Sequence, residues 1–260
     1  MNKVISKDGT AIAYDRTGKG PVVIMVGGAL STRSVPQVKT LAALLVPHFT
    51  VIGYDRRGHG DSGDSRQYTI GREVEDIEAL INASGGKASL YGHSSGAALA
   101  LEAAHRLDGK IQKLALYEPP FLGTGNSTRS YAEHLAKLKE LLRANLREEM
   151  LNYWMTDVTG TPAAYVAQMK NSPMWEGLVS LTPTLVYDLT IMNEYSKPGE
   201  RIDGLRIPML AMDGGSSPAW AHEAAQLLVD QIPNAKRRTL EGQTHGADPE
   251  VLATVLVEFF

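Results

Sequence analysis

Gly92-His93-Ser94-Ser95-Gly96 is the stretch of this chain best suited to covalent chemistry. It follows an apolar run at 88–91 and opens a helix-forming stretch at 95–107 that is rich in small residues, among them Ala97, Ala98 and Ala100. A serine between glycines at a strand-to-helix junction can sit in a sharp turn that larger neighbours would block. At the head of a helix, its oxygen also faces the positive end of the peptide dipoles, which favours the anion formed on attack at a carbonyl. The string by itself is weak; the strand before it and the helix after it carry the reading. A glycine- and serine-rich phosphate-binding turn is the plainer alternative.

Serine at its ordinary pKa is a poor nucleophile and needs a positioned base. The chain offers His48, His59, His93, His105, His134, His222 and His245. His245 stands out because it lies in Gly242-Gln243-Thr244-His245-Gly246-Ala247, between the last strand and the last helix. In a parallel sheet that loop emerges at the same carboxyl edge as the serine turn. His105 and His222 fall on helical stretches and read as surface residues, while His93 and His59 sit inside motifs whose geometry needs other atoms. No His/Asp grouping has metal spacing, so no metal and no cofactor is expected.

The elements that must position these groups follow from two alternating periods. Apolar or β-branched runs occur at 22–26, 50–54, 88–91, 113–117, 207–212 and 237–240, with helical stretches near 34–45, 70–83, 95–107, 218–231 and 249–260. The run Val22-Val23-Ile24-Met25-Val26 is apolar throughout, as suits a strand covered on both faces. Strand and helix in alternation mean an α/β fold with a mostly parallel sheet. Segments 4–5 and 10–14, joined by Lys7-Asp8-Gly9, read instead as an antiparallel hairpin at the sheet edge. Residues 119–203 interrupt the pattern. There Tyr131, Leu135, Leu138, Leu142, Leu146 and Met150 predict one apolar helix face, and Pro173, Pro183 and Pro198 cut the rest into shorter pieces. The insertion holds five of the nine methionines and two of the three tryptophans, side chains that make adaptable apolar walls or simply a small core.

With these residues in view, the chain resembles the α/β-hydrolase superfamily over essentially its whole length. Tyr54-Asp55-Arg56-Arg57-Gly58-His59-Gly60-Asp61-Ser62 is similar to the D-x-R-G-x-G-x-S turn of that superfamily, and Gly27-Gly28-Ala29 to its oxyanion loop, with Gly27 where a histidine often stands. The resemblance implies an α/β-hydrolase fold with an eight-stranded sheet and a helical cap inserted after the sixth strand. On that expectation 1–118 is the first part of the core, 119–203 the cap and 204–260 the second part. It also implies Ser94 as nucleophile, His245 as base, and the backbone N–H groups of Ala29 and Ser95 as the oxyanion hole. Gly58, Gly60 and Gly63 match a dinucleotide fingerprint as well. Yet Asp64-Ser65-Arg66-Gln67 does not open a helix there, and the next strand ends in Tyr91 rather than an acid, so a nucleotide cofactor is not expected.

The acid is where the pattern departs. The superfamily usually places it beyond the strand that follows the cap, which here brings Ser216 or Ser217 to the position, and neither can serve. Asp213 lies about three residues early. Glu118, in Tyr117-Glu118-Pro119-Pro120, ends the strand beside the serine turn, where branches such as haloalkane dehalogenases carry their acid. Glu118 is preferred and Asp213 stays open. Asp248, followed by Pro249, is explained as the N-cap of the last helix.

Composition narrows the partners. The 26 basic and 29 acidic residues leave a net charge of −3, with no general attraction for nucleic acid or anionic membrane surfaces. The absence of cysteine excludes disulfides, thiolate metal sites and a cysteine nucleophile. No apolar run reaches the ~18 residues of a membrane span, and the first residues lack the apolar core of a signal peptide. The expectation is a cytoplasmic serine esterase acting on a small-molecule substrate, with room for a homo-oligomer. The substrate would be a small or medium, largely apolar ester, lactone or thioester. Carbon–carbon bond hydrolysis or a lyase reaction on the same scaffold, or a non-catalytic small-molecule receptor, are the alternatives.

Overall fold

The computed structural model describes residues 1–65, 67–121, 130–196, 199–202 and 204–260; Arg66, Pro198 and Asp203 lie outside them. Eight strands form one sheet, in the spatial order β1 (Asn2–Ile5), β2 (Ala11–Thr17), β4 (Thr50–Tyr54), β3 (Val22–Val26), β5 (Ala88–His93), β6 (Ile111–Tyr117), β7 (Met209–Gly214) and β8 (Ala235–Leu240). The β1–β2 and β2–β4 pairs are antiparallel and all the others parallel. This is the α/β-hydrolase fold, with the hairpin at the sheet edge.

Alternation along the inner strands sends side chains to two separate cores. Ile24, Val26, Leu90, Leu114, Leu116 and Ala211 face α2 (Ile70–Ala83), α3 (Ser95–Arg106) and α9 (Ala219–Gln231). Val23, Met25, Tyr91, Ala115, Leu210 and Met212 face α1 (Pro36–Leu45) and α10 (Pro249–Phe259). Both faces of β3 are covered, which is why its sequence is apolar without a break. Asp248 caps α10 as expected, its carboxylate accepting the Glu250 N–H at 2.7 Å.

Between β6 and β7 lie α4 (Tyr131–Arg143), α5 (Arg147–Tyr153), a π-helical turn (Trp154–Val158), α6 (Ala163–Met169), α7 (Trp175–Leu181) and α8 (Leu185–Glu194). The single helix face predicted from Tyr131 to Met150 is a correction. The chain breaks at Asn145, whose φ of 56° is left-handed, and Leu146 caps α5 with its side chain 40% exposed. Asparagine tolerates that backbone at low cost, so it can end one helix and turn the chain into the next. The periodicity misled because Met150, on the second helix, returns to the same cluster as Leu138 and Leu142 on the first.

β7 begins and ends two residues later than predicted, so Asp213 and Gly214 belong to the sheet. Among the described residues no helix is long and apolar enough to cross a membrane.

Candidate functional site

The carboxyl ends of β5 and β6 carry the site. His93 is in register with Tyr117, and the Ser94 N–H donates to the Tyr117 carbonyl at 3.0 Å, one step past the strand. Ser94 and Glu118 therefore leave neighbouring strands at the same level. Both have left-handed backbones, with φ of 55° and 46°. Serine and glutamate, unlike glycine or asparagine, hold such angles where their surroundings impose them, a form of strain that gathers at functional sites. At Ser94 the surroundings are glycines. A Cβ on Gly92 would meet the Ala97 backbone at 2.6 Å, and one on Gly96 would meet the carbonyl oxygens of Val26 and Gly27 at 2.4 Å. Gly28 is also tightly placed, since a Cβ there would lie 2.9 Å from the His93 carbonyl oxygen and 3.0 Å from the Cβ of Ser94. The turn can form only without those side chains, and it brings the Gly27-Gly28-Ala29 loop against the serine.

Glu118 is fully buried. Its Oε2 lies 2.6 Å from His245 Nδ1, while its Oε1 accepts from the Gly214 N–H at 2.8 Å and from the Ser217 hydroxyl at 2.5 Å. Burial pushes its pKa upward, but the hydrogen bonds from His245, Ser217 and Gly214 prevail and hold the carboxyl below its ordinary value. Asp213, the alternative acid, is engaged elsewhere. Arg237 grips it with two nitrogens, at 2.9 and 3.0 Å, and His222 Nδ1 lies at 2.5 Å. The structure thus brings His245 to Glu118 and leaves Asp213 inside an ion pair between β7, β8 and α9. His222, expected as a surface residue, is corrected to a half-buried partner of Asp213.

Ser94 and His245 line one cavity of about 530 Å³. Its wall is mostly apolar, with Ala29, Leu41, Trp154, Leu178 and Leu252 among its residues. Trp154 and Leu178 come from the helices between β6 and β7. Arg33 and Arg56 are also among the lining residues, but the guanidinium groups of both are satisfied by carboxylates: Arg33 by Asp15, Asp55 and Asp61, and Arg56 by Glu73 and Asp188. Among the described residues neither arginine leaves a free charge there to favour an ionic ligand. Among the described residues no group of histidine and carboxylate side chains is arranged to hold a metal ion.

Several neighbours of these residues carry no signal in the sequence. The Tyr117 hydroxyl donates to the Thr244 carbonyl at 2.6 Å, and His93 Nε2 lies 2.9 Å from the His245 carbonyl, so two groups from the serine side hold the histidine loop. The Trp220 ring stands edge-on to His245, with centroids 5.8 Å apart. Ser217, which cannot serve as the acid, donates its hydroxyl to Glu118 beside the Gly214 N–H. Each of these contacts joins segments far apart in the chain.

Comparison with known proteins bears on the family and the fold. A family model described as "Alpha/beta hydrolase family" matches residues 22–255. The crystal structure of an alpha/beta hydrolase from Sphaerobacter thermophilus superimposes with a TM-score of 0.92 and 47% identity, covering 100% of both chains. An uncharacterized hydrolase of Bacillus subtilis, YraK, is 27% identical over 151 residues, which are 56% of this chain and 55% of that protein. A putative esterase/lipase of Haemophilus influenzae is 22% identical over 252 residues, 88% of this chain and 78% of its own length.

Proposed function

We propose, from the premise that the chain belongs to the alpha/beta hydrolase family, that it cleaves small or medium, largely apolar carboxylic esters, lactones or thioesters through an acyl-enzyme on Ser94. The observation that carries the reading is that Ser94, in a strained turn at the head of α3, shares a cavity with a histidine whose other nitrogen is tied to a buried carboxylate. The resemblance of the sequence to an esterase/lipase supports the same class.

In this mechanism Ser94 Oγ attacks the substrate carbonyl while His245 Nε2 takes its proton. Glu118 holds the imidazole with Nδ1–H toward itself and stabilises the imidazolium. The N–H groups of Ala29 and Ser95 receive the oxyanion. Typically one such donor is worth ~2.7–4 kcal/mol to the transition state. The tetrahedral adduct collapses, the C–O or C–S bond breaks, and His245 returns the proton to the leaving alcohol or thiol. Water, deprotonated by His245, then attacks the acyl-enzyme, and the carboxylic acid departs as Ser94 regains its proton. The helices between β6 and β7 act as a cap that adds Trp154 and Leu178 to the apolar wall, and the neutrality of that wall selects uncharged substrates.

The test is labelling with a fluorophosphonate followed by peptide mass spectrometry. An adduct on Ser94 in the native protein, absent in Ser94→Ala, is expected. Its absence under native conditions would overturn the reading and leave a binding protein.

A further inference from the structure

Asp188 belongs to no part of the mechanism above, yet it is fully buried beside it. It stands on α8, within the inserted helices. Its Oδ1 accepts from the Ser95 hydroxyl at 2.7 Å and from Arg56 Nη1 at 2.6 Å. Arg56 is itself buried and is held by Glu73 through Nε and Nη2, at 2.7 and 2.6 Å. The same Nη1 points at the Gly27 carbonyl, 3.4 Å away. A carboxylate on the inserted helices therefore touches one wall of the proposed oxyanion hole directly, the turn that carries Ser95, and reaches the other, the loop that carries Gly27 to Ala29, through Arg56.

Stability does not account for this arrangement. The second oxygen of Asp188 is buried and has no hydrogen-bond partner among the described residues. A buried carboxylate left half satisfied costs free energy, and apolar side chains of similar volume in place of such a group are often neutral or stabilising. What the charge adds is direction: a charge-assisted bond to a hydroxyl fixes its orientation more firmly than packing does. Nearby polar contacts tie the same part of the insertion to the core. Thr184 Oγ1 lies 3.1 Å from His59 Nε2, and the Tyr187 ring stacks on Tyr68 with centroids 3.9 Å apart.

We propose that Asp188 is a positioning residue through which helix α8 holds the oxyanion hole in its working geometry. Seating α8 on the core places the carboxylate between Arg56 and Ser95; displacing α8 withdraws it and loosens the N–H of Ser95. Binding of the insertion over a substrate and readiness for the transition state are thereby one event. The inference rests on the serine-hydrolase reading.

Ser95→Ala removes the hydroxyl and keeps the backbone N–H, so it severs the link at the turn without deleting an oxyanion donor. Asp188→Asn keeps the shape and weakens the ion pair at the other end. Each is expected to lower kcat on a p-nitrophenyl ester about tenfold to hundredfold, as small misplacements in active sites do, with KM nearly unchanged. Affinity for an alkyl boronic acid, which forms a tetrahedral adduct on the serine, should fall in step with kcat. In the double variant the losses should not add, because both break the same link. If Ser95→Ala turns over within about twofold of wild type, or if the two losses add, the inference is overturned. Fluorophosphonate labelling of the wild type separates the two levels. An adduct on Ser94 together with a normal Ser95→Ala overturns the positioning role alone, whereas no adduct overturns the hydrolase reading and this inference with it.

Discussion

His245 Nδ1 lies 2.6 Å from Glu118 Oε2, although 127 positions separate the two residues in the chain. The carboxylate follows β6 and the histidine follows β8, with β7 between them in the sheet. Glu118 spans that gap because its left-handed backbone turns the chain just beyond the strand, and because Gly214 and Ser217, at the end of the intervening strand and just past it, donate to its far oxygen.

Replacing Glu118 by Gln should therefore lower kcat by about 10³–10⁴-fold, the scale seen when a serine–histidine pair loses its anionic partner and the imidazole adopts the wrong tautomer. Asp213→Asn should leave kcat nearly intact while costing about 1–2 kcal/mol of stability, because it weakens the charge-assisted bonds to a partly exposed Arg237. Steady-state kinetics and urea denaturation on both variants separate the roles. Collapse of kcat in Asp213→Asn, with Glu118→Gln unaffected, would reverse the assignment.

The serine turn makes a steric prediction. Alanine at Gly96 would drive a methyl group into two backbone carbonyls at 2.4 Å, and neither can retreat without moving β3. The cost belongs at the upper end of the range for overpacking, about 3 kcal/mol. A urea midpoint close to wild type in Gly96→Ala would mean that the turn is more yielding than its geometry implies.

His93 makes a prediction in pH. Burial, with the charge of His245 beside it, holds its pKa down at about 4, against 6.5 for a free histidine. The unfolded chain thus binds a proton between those values that the folded protein refuses, so stability rises with pH across that window and is lost as pH falls from 6.5 toward 4. At pH 5 the loss from this one group is on the order of 1–2 kcal/mol. In His93→Gln, which retains a donor toward the His245 carbonyl, the melting temperature should fall less between pH 7 and pH 5 than in wild type. Equal falls in both proteins would remove His93 as the cause.

Trp154 should set the length of substrate the cavity admits, since it is a large side chain in the wall and it comes from the insertion. A π-helical turn begins at this residue, and such turns are frequent at functional sites. Trp154→Ala should move the preferred p-nitrophenyl ester to longer acyl chains. Each further buried methylene is worth about 0.8 kcal/mol, roughly fourfold in kcat/KM. An unchanged chain-length profile would place the acyl group elsewhere.

Much of this was legible before folding, for local reasons. The strands declare themselves by runs such as 22–26, the insertion by the loss of strand period after Pro119, and the serine turn by Gly92 and Gly96, because each depends on residues adjacent in the chain. Asp248 as a helix cap is local in the same sense. The false continuity from Tyr131 to Met150 shows the limit, since a periodic pattern cannot tell one helix from two that share a core. Pro198, read as a cut in the same insertion, lies outside the described residues.

By itself the sequence determined the α/β layering, the strained serine and the loop that carries the histidine, all written in spacing and residue type. It left the surroundings of two candidate carboxylates, Glu118 and Asp213, open, because both lie at strand ends on the same edge and spacing carries no record of where a side chain points. Only the tertiary structure separated them: Arg237 and His222 close around one carboxylate, while Gly214, Ser217 and His245 converge on the other. The link from Asp188 to Ser95 is of the same kind, 93 positions apart in the chain and one hydrogen bond apart in the fold. Hydrogen bonds and burial act through space, so they appear only when the chain has folded back on itself.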